Sequence, residues 1–268
     1  MTPNCVVTTS LKAGASLKER AVWFSRRLGV PLVPRKKLSL EAICAHYGVS
    51  GVLVVSADRV SYFSGGRELF FHPGMAVLRI KEIKAGKTDQ MIKAMDLKRG
   101  DSLLDCTLGP GVDALVAAWV VGEEGRVVGV ESSPVLAALV EHGLVGYRGR
   151  GSEDLDRART RVEVVCADHF EYLRSIPRNS FDVVYFDPMF RCPLRLSSAM
   201  EPVRGVANPQ PLRREALQEA LRVARRRVVV KETRESGEFA RLGIRNVQGG
   251  KYSPVAYGVL VKEVGSGV

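Results

Sequence analysis

The chain has 268 residues, of which 46% are hydrophobic and 26% are charged, a composition typical of a globular protein rather than a disordered one. It has neither an apolar run of about 18 residues, which a membrane span needs, nor the features of a signal peptide, and this predicts a cytoplasmic protein without a membrane partner. A surplus of 40 Lys and Arg over 29 Asp and Glu gives a net charge of +11, which favours a nucleic-acid partner or, alternatively, a merely basic protein.

The N-terminal third mixes short strands and helices, which predicts a small α+β domain over residues 1–85 that is able to bind RNA. In chain order, the patterns predict a strand at 5–9, helices at 17–28 and 40–47, and strands at 52–56, 59–63 and 68–71. Turn sequences separate the last three strands, so we expect an antiparallel meander. The following segment, 72–98, is predicted to connect to a second domain over residues 86–268 and to contain one helix near 89–95.

From residue 102 onward, apolar runs of strand length alternate with amphipathic segments of helix length, the pattern of β-α-β units in a mostly parallel sheet. Strands are predicted at 102–105, 126–131, 162–166, 182–186 and 227–231. Helices are predicted at 113–121, 134–142, 169–175 and 211–224. The final segment, 247–264, has a Gly-Gly pair and a Ser-Pro turn before an apolar run, which predicts an antiparallel pair that closes the sheet.

Acidic residues follow three of these predicted strands. Asp105 ends the first strand and leads into a glycine-rich turn that contains Gly109 and Gly111, where the backbone can approach a ligand closely. Glu131 ends the second strand, well placed to accept the two hydroxyls of a ribose, and Asp168 follows the third, where an acid can meet the amine of adenine. Because ligands of such folds lie at the carboxyl ends of strands, the three acids predict a nucleotide-containing cofactor.

Two cofactors fit the glycine turn. The spacing of Gly109, Gly111 and Ala114, with Glu131 downstream, also satisfies the loose fingerprint of an NAD-binding fold. S-adenosylmethionine is favoured by Asp105, which precedes the glycines and can contact the methionine part, by the position of Asp168, and by the tetrapeptide described next. We therefore predict S-adenosylmethionine, with S-adenosylhomocysteine as product, and keep an NAD-dependent oxidoreductase as the alternative.

The tetrapeptide Asp187-Pro188-Met189-Phe190 follows the predicted strand 182–186 and resembles the Asp/Asn-Pro-Pro-Tyr/Phe signature of methyltransferases that modify exocyclic amines of nucleobases. The Asp187 carboxylate and the Pro188 carbonyl would hold the amine hydrogens and aim the nitrogen lone pair at the methyl group. Phe190 would stack on a base pulled out of its helix. The alternative is a common Asp-Pro turn with Phe190 in the core.

With methionine at its third position, the tetrapeptide resembles the RsmJ-type ribosomal RNA guanine-N2 methyltransferases. Other stretches agree: residues 105–113 are similar to their glycine turn, 133–144 to their second-strand helix, 227–231 to a strand end, and 74–81 to a segment just before the methyltransferase domain. The similarity runs from about residue 70 to about 235. The sequence looks closer still to an uncharacterised methyltransferase-like branch of the family from Gram-positive bacteria.

The resemblance implies a class I S-adenosylmethionine-dependent methyltransferase with a Rossmann-like α/β fold. Its sheet would be mostly parallel and seven-stranded, with helices on both faces, and a small α+β domain would precede it. The substrate implied is guanine N2 in small-subunit ribosomal RNA, so the partner would be RNA, either ribosomal RNA or the small ribosomal subunit. A non-catalytic RNA-binding protein with the same fold is a second alternative.

The predicted site residues fall into three groups. The cofactor-binding residues are Asp105, Thr107, Gly109, Gly111, Asp113, Glu131, Ser132, Asp168 and Asp187. The catalytic residues are Asp187, Pro188, Met189 and Phe190. The substrate-binding residues are Phe190, Arg191, Arg195 and Lys231, with Arg204, Arg213 and Arg214 completing a basic cluster that is either an RNA contact or a solvated face. The five cysteines are scattered and form no C-x-x-C pair, so neither a disulfide nor a metal site is expected.

Overall fold

The computed structural model describes residues 2–147, 153–189, 203 and 205–262. Its N-terminal part forms a four-stranded sheet with two helices. The elements are β1 (Cys5–Thr9), α1 (Ala15–Leu28), α2 (Leu40–Tyr47), β2 (Gly51–Val55), β3 (Val60–Ser64) and β4 (Arg67–Phe70). Strands β2, β3 and β4 form the predicted antiparallel meander, and β1 pairs with β2 in parallel.

Two helices connect this sheet to the rest of the chain, α3 (Gly74–Lys84) and α4 (Gln90–Met95). Asp89 caps α4 because its carboxylate accepts hydrogen bonds from the first backbone N–H groups of the helix. The sequence analysis missed α3. Its buried residues Ala76 and Ile80 are interspersed with the exposed Met75 and Leu78, so the apolar residues form no single stripe.

The C-terminal part forms a seven-stranded sheet in the order β10-β11-β9-β8-β5-β6-β7. Its elements are β5 (Ser102–Asp105), α5 (Val112–Val121), β6 (Arg126–Glu131), α6 (Pro134–Gly146), α7 (Glu153–Arg159), β7 (Val162–Cys166), α8 (His169–Ser175), β8 (Phe181–Phe186), α9 (Arg214–Val223), β9 (Ala224–Thr233), α10 (Glu238–Arg241), β10 (Val247–Gln248) and β11 (Val255–Val261). Only β11 runs against its neighbours in this sheet. The mostly parallel sheet and its closing antiparallel pair are therefore confirmed.

Helices cover both faces of the large sheet. Successive residues of a strand point to opposite faces, so Leu103 packs in one hydrophobic cluster with α3, α5 and α6, whereas Leu104 packs in another with α8 and α9. Tyr185 and Phe186 of β8 divide between the same two clusters. Both strands are apolar on both faces, as expected of a buried parallel sheet.

The cluster on the first face continues into the small sheet, where it includes Val7 and Leu53. The two parts also meet at an ion pair between Arg27 of α1 and Glu141 of α6, with 2.9 Å between Nε and Oε2. The hydrophobic core thus runs across both sheets, and the boundary between residues 85 and 86 stays a prediction.

Strand β5 lies in the interior of the large sheet, with β6 on one side and β8 on the other. The chain order reverses direction at this strand, which makes it the topological switch point where α/β sheets bind ligands. Cys106, just after β5, donates its backbone N–H to the Tyr185 carbonyl at 2.9 Å, so the loops after β5 and β8 leave the sheet side by side.

Candidate functional site

A cavity of about 330 Å³ opens at the carboxyl ends of the strands around this switch point. Its wall includes predicted site residues from the carboxyl-terminal ends of β6 and β9, from the segments that follow β5, β6 and β8, and from the first turn of α5. They are Thr107, Gly109, Asp113, Glu131, Ser132, Asp187, Pro188, Met189 and Lys231. Among the predicted residues that the structure describes, Asp105, Gly111 and Asp168 do not line the cavity. Phe190, Arg191, Arg195 and Arg204 lie outside the described residues.

The turn after β5 is organised by Asp105, whose Oδ1 accepts a hydrogen bond from the Thr107 N–H at 3.0 Å. Gly109 and Gly111 follow with φ angles of 52° and 80°, conformations that glycine adopts without steric cost. Gly111 is the N-cap of α5. The turn therefore brings Gly109 to the cavity wall and keeps Gly111 behind it.

Asp105 is only 1% exposed, and burial raises the pKa of its carboxyl group well above its ordinary value. The carboxylates of Asp113, Asp187 and Glu131 raise it further. A carboxylate in such surroundings is stabilised when a cation binds near it. Asp105 lies behind the cavity wall, so a positively charged ligand group near the glycine turn would favour its anionic form.

Glu131, at the end of β6, is 6% exposed and connects two loops. Its Oε2 accepts a hydrogen bond from the Gly109 N–H at 3.0 Å, and its Oε1 accepts one from the Ser133 N–H at 2.8 Å. Oε1 also accepts from the Ser132 hydroxyl at 3.5 Å, so Oε2 is the oxygen whose second lone pair can accept a hydrogen bond from a ligand hydroxyl. Glu131 therefore fits the predicted ribose contact and also fixes the glycine turn.

Asp168 caps α8. Its Oδ1 accepts hydrogen bonds from the N–H groups of Phe170, at 2.9 Å, and Glu171, at 3.2 Å. The residue that lines the cavity is instead its neighbour His169, whose ring packs edge-on against Phe186. The sequence analysis missed His169, although its position directly after the strand-end acid is a usable signal.

The start of the tetrapeptide is held by two contacts. The Asp187 backbone N–H donates to the Thr107 hydroxyl at 2.5 Å, which joins the loops after β5 and β8. The Asp187 Oδ2 accepts a hydrogen bond from Lys231 Nζ at 2.7 Å. Lys231 also donates to Asp113 Oδ2 at 3.2 Å, so one ammonium group bridges two carboxylates at the cavity wall.

Asp113 is fixed by two more side chains. Arg79 of α3 donates to its Oδ1 at 2.5 Å, and the buried Tyr185 donates its hydroxyl to Oδ2 at 2.8 Å. Arg79 in turn binds both oxygens of Asp89, at 2.8 and 3.0 Å. The sequence analysis placed Arg79 only in a stretch of family resemblance. The structure makes it the link between the N-terminal helices and the cavity.

Charges in this cluster stabilise one another. Burial alone would raise the pKa of Asp113, but Lys231 and Arg79 reverse this and hold it well below its ordinary value. Burial alone would lower the pKa of Lys231, but Asp113 and Asp187 hold it well above its ordinary value. At neutral pH, therefore, Asp113 is anionic and Lys231 is cationic. Burial raises the pKa of Asp187, and Lys231 opposes that shift.

The described part of the chain holds no group of three or more His, Cys, Asp or Glu side chains that could bind a metal ion. Across the same residues, no helix has the length and apolar character needed to span a membrane.

Comparisons with known proteins agree with this geometry. A family model described as "Putative SAM-dependent methyltransferase", where SAM is S-adenosylmethionine, matches residues 69–246. An "Uncharacterized protein YpiP" of Bacillus subtilis is 38% identical over 256 residues, which cover 95% of this chain and 98% of that protein. Ribosomal RNA small subunit methyltransferase J of Pseudomonas syringae pv. tomato is 32% identical over 236 residues, which cover 82% and 79%.

Among solved structures, a SAM-dependent methyltransferase from Neisseria gonorrhoeae superposes with a TM-score of 0.63 at 18% identity, covering 97% of this chain and 96% of that one. At this identity the likeness shows the fold alone. It confirms the predicted Rossmann-like fold with a small α+β region before it.

Proposed function

The chain belongs to this family of SAM-dependent methyltransferases, with SAM as its cofactor, and from that premise we propose that it methylates an exocyclic amine of a nucleobase, guanine N2 in small-subunit ribosomal RNA. The observation that carries the proposal is the position of Asp187 and Pro188 at the cavity wall, where the Asp187 N–H donates to the Thr107 hydroxyl of the neighbouring glycine turn. The printed name of the relatives, ribosomal RNA small subunit methyltransferase J, supports the choice of RNA.

In this proposal the glycine turn and the strand-end acids hold the cofactor. Glu131 and Ser132 bind the ribose hydroxyls, and His169, which lines the cavity next to the helix cap Asp168, receives the adenine. The negative surroundings of Asp105 attract the positively charged methionine part. When bound, SAM supplies a methyl group on a sulfonium, which is already a good leaving group.

Asp187 and Pro188 prepare the amine for attack. The lone pair of an aromatic amine is delocalised into the ring, so the free amine is a poor nucleophile. Hydrogen bonds from its two N–H groups to the Asp187 carboxylate and the Pro188 carbonyl would pyramidalise the nitrogen and direct its lone pair into the cavity. Positioning of this kind can supply much of the rate, because it removes the entropy cost of aligning the reactants. Methyl transfer would then be direct, without a covalent intermediate on the enzyme: the nitrogen–methyl bond would form as the sulfur–methyl bond breaks, S-adenosylhomocysteine would leave, and the proton lost by the nitrogen would pass to the Asp187 carboxylate or to water.

The RNA would extend beyond the cavity. Phe190 would stack on the target base, and Arg191 and Arg195 would contact phosphates, although these three residues lie outside the described part of the structure. The basic N-terminal region, residues 1–85, would provide further phosphate contacts as a separate domain. A ribosomal RNA substrate would place the enzyme in the cytoplasm.

Replacement of Asp187 by alanine tests this proposal. We expect single-turnover methylation of small-subunit ribosomal RNA to fall by roughly 100-fold or more, because an interaction that matters most in the transition state is lost. SAM affinity, measured by calorimetry, should stay close to that of the parent. The RNA is offered both as naked RNA and as small subunits, and digestion to nucleosides identifies the methylated base.

The matched control is Asp156→Ala, which removes an exposed carboxylate paired with Arg159 on α7, away from the cavity. This variant should methylate as the parent does. Parental turnover in folded Asp187→Ala would contradict the mechanism, and loss of SAM binding would move Asp187 to the cofactor site. If the parent methylates RNA on a base other than guanine, the substrate assignment is wrong.

A further inference from the structure

We propose that Lys231 is a positioning residue that bridges Asp113 and Asp187 and so presents one chosen oxygen of Asp187 to the substrate amine. This inference rests on the proposed function, because it assigns a role to the residue that holds the carboxylate of the tetrapeptide. It differs from the sequence-based expectation that Lys231 binds the RNA substrate directly.

Strand register places Lys231 beside Asp187. In the parallel pair of β8 and β9, Phe186 lies opposite Val230 in the last strand pair, and Asp187 and Lys231 follow these two residues at the carboxyl edge of the sheet. On its other side Lys231 lies opposite Tyr257 of β11. The lysine is therefore fixed between two strands, with its ammonium group directed across β8 toward α5.

The ammonium group donates two hydrogen bonds to carboxylates, to Asp187 Oδ2 at 2.7 Å and to Asp113 Oδ2 at 3.2 Å. Its side chain is 20% exposed, which leaves little surface for a phosphate. Among contacts between described residues, Asp187 Oδ1 has no hydrogen-bond partner. The bridge thus selects Oδ1 as the oxygen that accepts an N–H of the substrate.

The bridge is anchored at its far end. Asp113 cannot follow Lys231 freely, because Arg79 holds its Oδ1 and Tyr185 holds its Oδ2. Arg79 is itself fixed by both oxygens of Asp89. The rotation of the Asp187 carboxylate is therefore set by a chain of contacts that reaches α3 and α4.

Opposing charges act on Asp187 from several elements. Lys231 and Arg79 favour its anionic form, whereas burial and Asp113 disfavour it, and together they leave its pKa raised. The titratable groups that face this cluster are Arg79 of α3, Asp89 of α4, Asp105 of β5, Asp113 of α5, Glu131 of β6, Tyr185 of β8, Lys231 and Glu232 of β9, and Tyr257 of β11. Removal of the nearest cation, Lys231, and removal of the nearest anion, Asp113, should therefore shift the Asp187 pKa in opposite directions.

The first test needs no substrate. Aspartate carboxyl carbons are labelled with ¹³C, and Asp187 is titrated by NMR in the protein without ligands, with its signal assigned from Asp187→Asn. In Lys231→Met the Asp187 pKa should rise by about 1 to 3 pH units, because a cation in contact is lost. In Asp113→Asn it should fall, because a neighbouring anion is lost while Lys231 and Arg79 remain.

General damage to the fold would move both variants in the same direction, so the opposite signs identify the bridge. Lys231→Arg keeps the cation and should keep the Asp187 pKa close to that of the parent. Lys84→Met is the matched control, since it removes an exposed lysine that pairs with Asp154 at 2.6 Å. If Lys231→Met fails to fold, the Asp187 pKa in Asp113→Asn, which is expected to fall, still tests the proposal. An unchanged pKa in Lys231→Met, or a rise in Asp113→Asn, overturns the proposal.

Kinetics provide the second test. Lys231→Met should lower kcat by roughly 100-fold through loss of alignment, with KM for RNA and its salt dependence close to those of the parent. A raised KM, with a salt slope smaller by about 1, would instead identify a phosphate contact and overturn the proposal. If the parent methylates no RNA, the proposed function fails, but the NMR result still decides whether Lys231 controls Asp187.

Discussion

Gly109 and Gly111 both adopt left-handed backbone conformations, yet they differ in the space around them. A Cβ on Gly111 would lie 3.1 Å from Val140 Cγ1, so a side chain there would press on the packing of α6. Among the described residues, a Cβ on Gly109 would have only the Thr107 carbonyl oxygen near it, at 3.7 Å. Gly109 is therefore the better position for testing where the cofactor binds.

Replacement of Gly109 by asparagine should weaken SAM binding at least about tenfold, equivalent to roughly 1.4 kcal/mol, because a side chain would occupy space at the cavity wall. Asparagine is chosen because it tolerates a positive φ better than most residues. Calorimetric titration with SAM measures the change.

Gly86→Asn is the matched control, since Gly86 has a φ of 82°, open space around it and no place in the cavity wall. It should bind SAM as the parent does. Equal affinity of the two variants would show that the cofactor does not lie against the glycine turn.

At the scale of elements, α6 joins the two parts of the molecule. It passes so close to Phe71, which follows β4, that a Cβ on Gly143 would lie 2.2 Å from the ring Cγ. Glu141 of the same helix pairs with Arg27 of α1. The absence of a side chain at Gly143 thus allows the segment after the small sheet to pack on a helix of the large one.

Gly143→Ala should destabilise the protein. Alanine favours a helix by about 1 kcal/mol over glycine, but overpacking against a ring costs about 1 to 3 kcal/mol, so the steric cost should prevail. Urea denaturation gives the change in the free energy of unfolding.

Gly146→Ala in the same helix is the control. Gly146 is exposed, and a Cβ there would make ordinary contact with His142 Cε1 at 3.5 Å. It should leave stability unchanged or raise it by up to about 1 kcal/mol. If Gly143→Ala is as stable as Gly146→Ala, the contact with Phe71 is not limiting.

For the whole molecule, a net charge of +11 favours binding of a polyanion. The structure distinguishes cations that already have a partner within the protein from cations that are exposed. In the N-terminal part, Arg27 pairs with Glu141 and Arg20 donates to the Ser56 carbonyl. Five cations of residues 1–50 are exposed. They are Lys12, Lys18, Arg26, Lys36 and Lys37. RNA contacts of this part would depend on those exposed side chains.

The double replacement Lys18→Gln and Arg26→Gln should weaken RNA binding and reduce the slope of log affinity against log salt by about 2, because each phosphate contact contributes roughly one to that slope. Filter binding of small-subunit ribosomal RNA over a range of salt concentrations measures both quantities. This design keeps the fold, whereas deletion of the N-terminal region would expose the shared core.

The charge-matched control is Lys87→Gln with Lys98→Gln, two exposed lysines paired with surface acids. It should change affinity less than the first pair does. Equal losses would mean that RNA responds only to net charge, and unchanged affinity in both would exclude α1 from the RNA interface.

The sequence by itself determined the class of fold and the succession of strands along the chain from residue 102 onward, because apolar periodicity and turn residues act over a few neighbouring positions. It also predicted the glycine turn and the tetrapeptide, because each is a stretch of consecutive residues. Helix α3 was not predicted because its apolar residues face both the core and solvent. How α3 packs against α5 depends on the assembled sheet.

Only the tertiary structure decided which partners the charged side chains take. Arg79 reaches Asp113 across 34 positions of the chain, and Lys231 reaches Asp113 across 118. It also decided that His169, and not Asp168, lines the cavity, because Asp168 is used to cap α8. Such pairings depend on strands that are distant in sequence and adjacent in the sheet. No local sequence pattern contains that information. Once these side chains are buried, each charged group is stabilised by a neighbour of opposite charge.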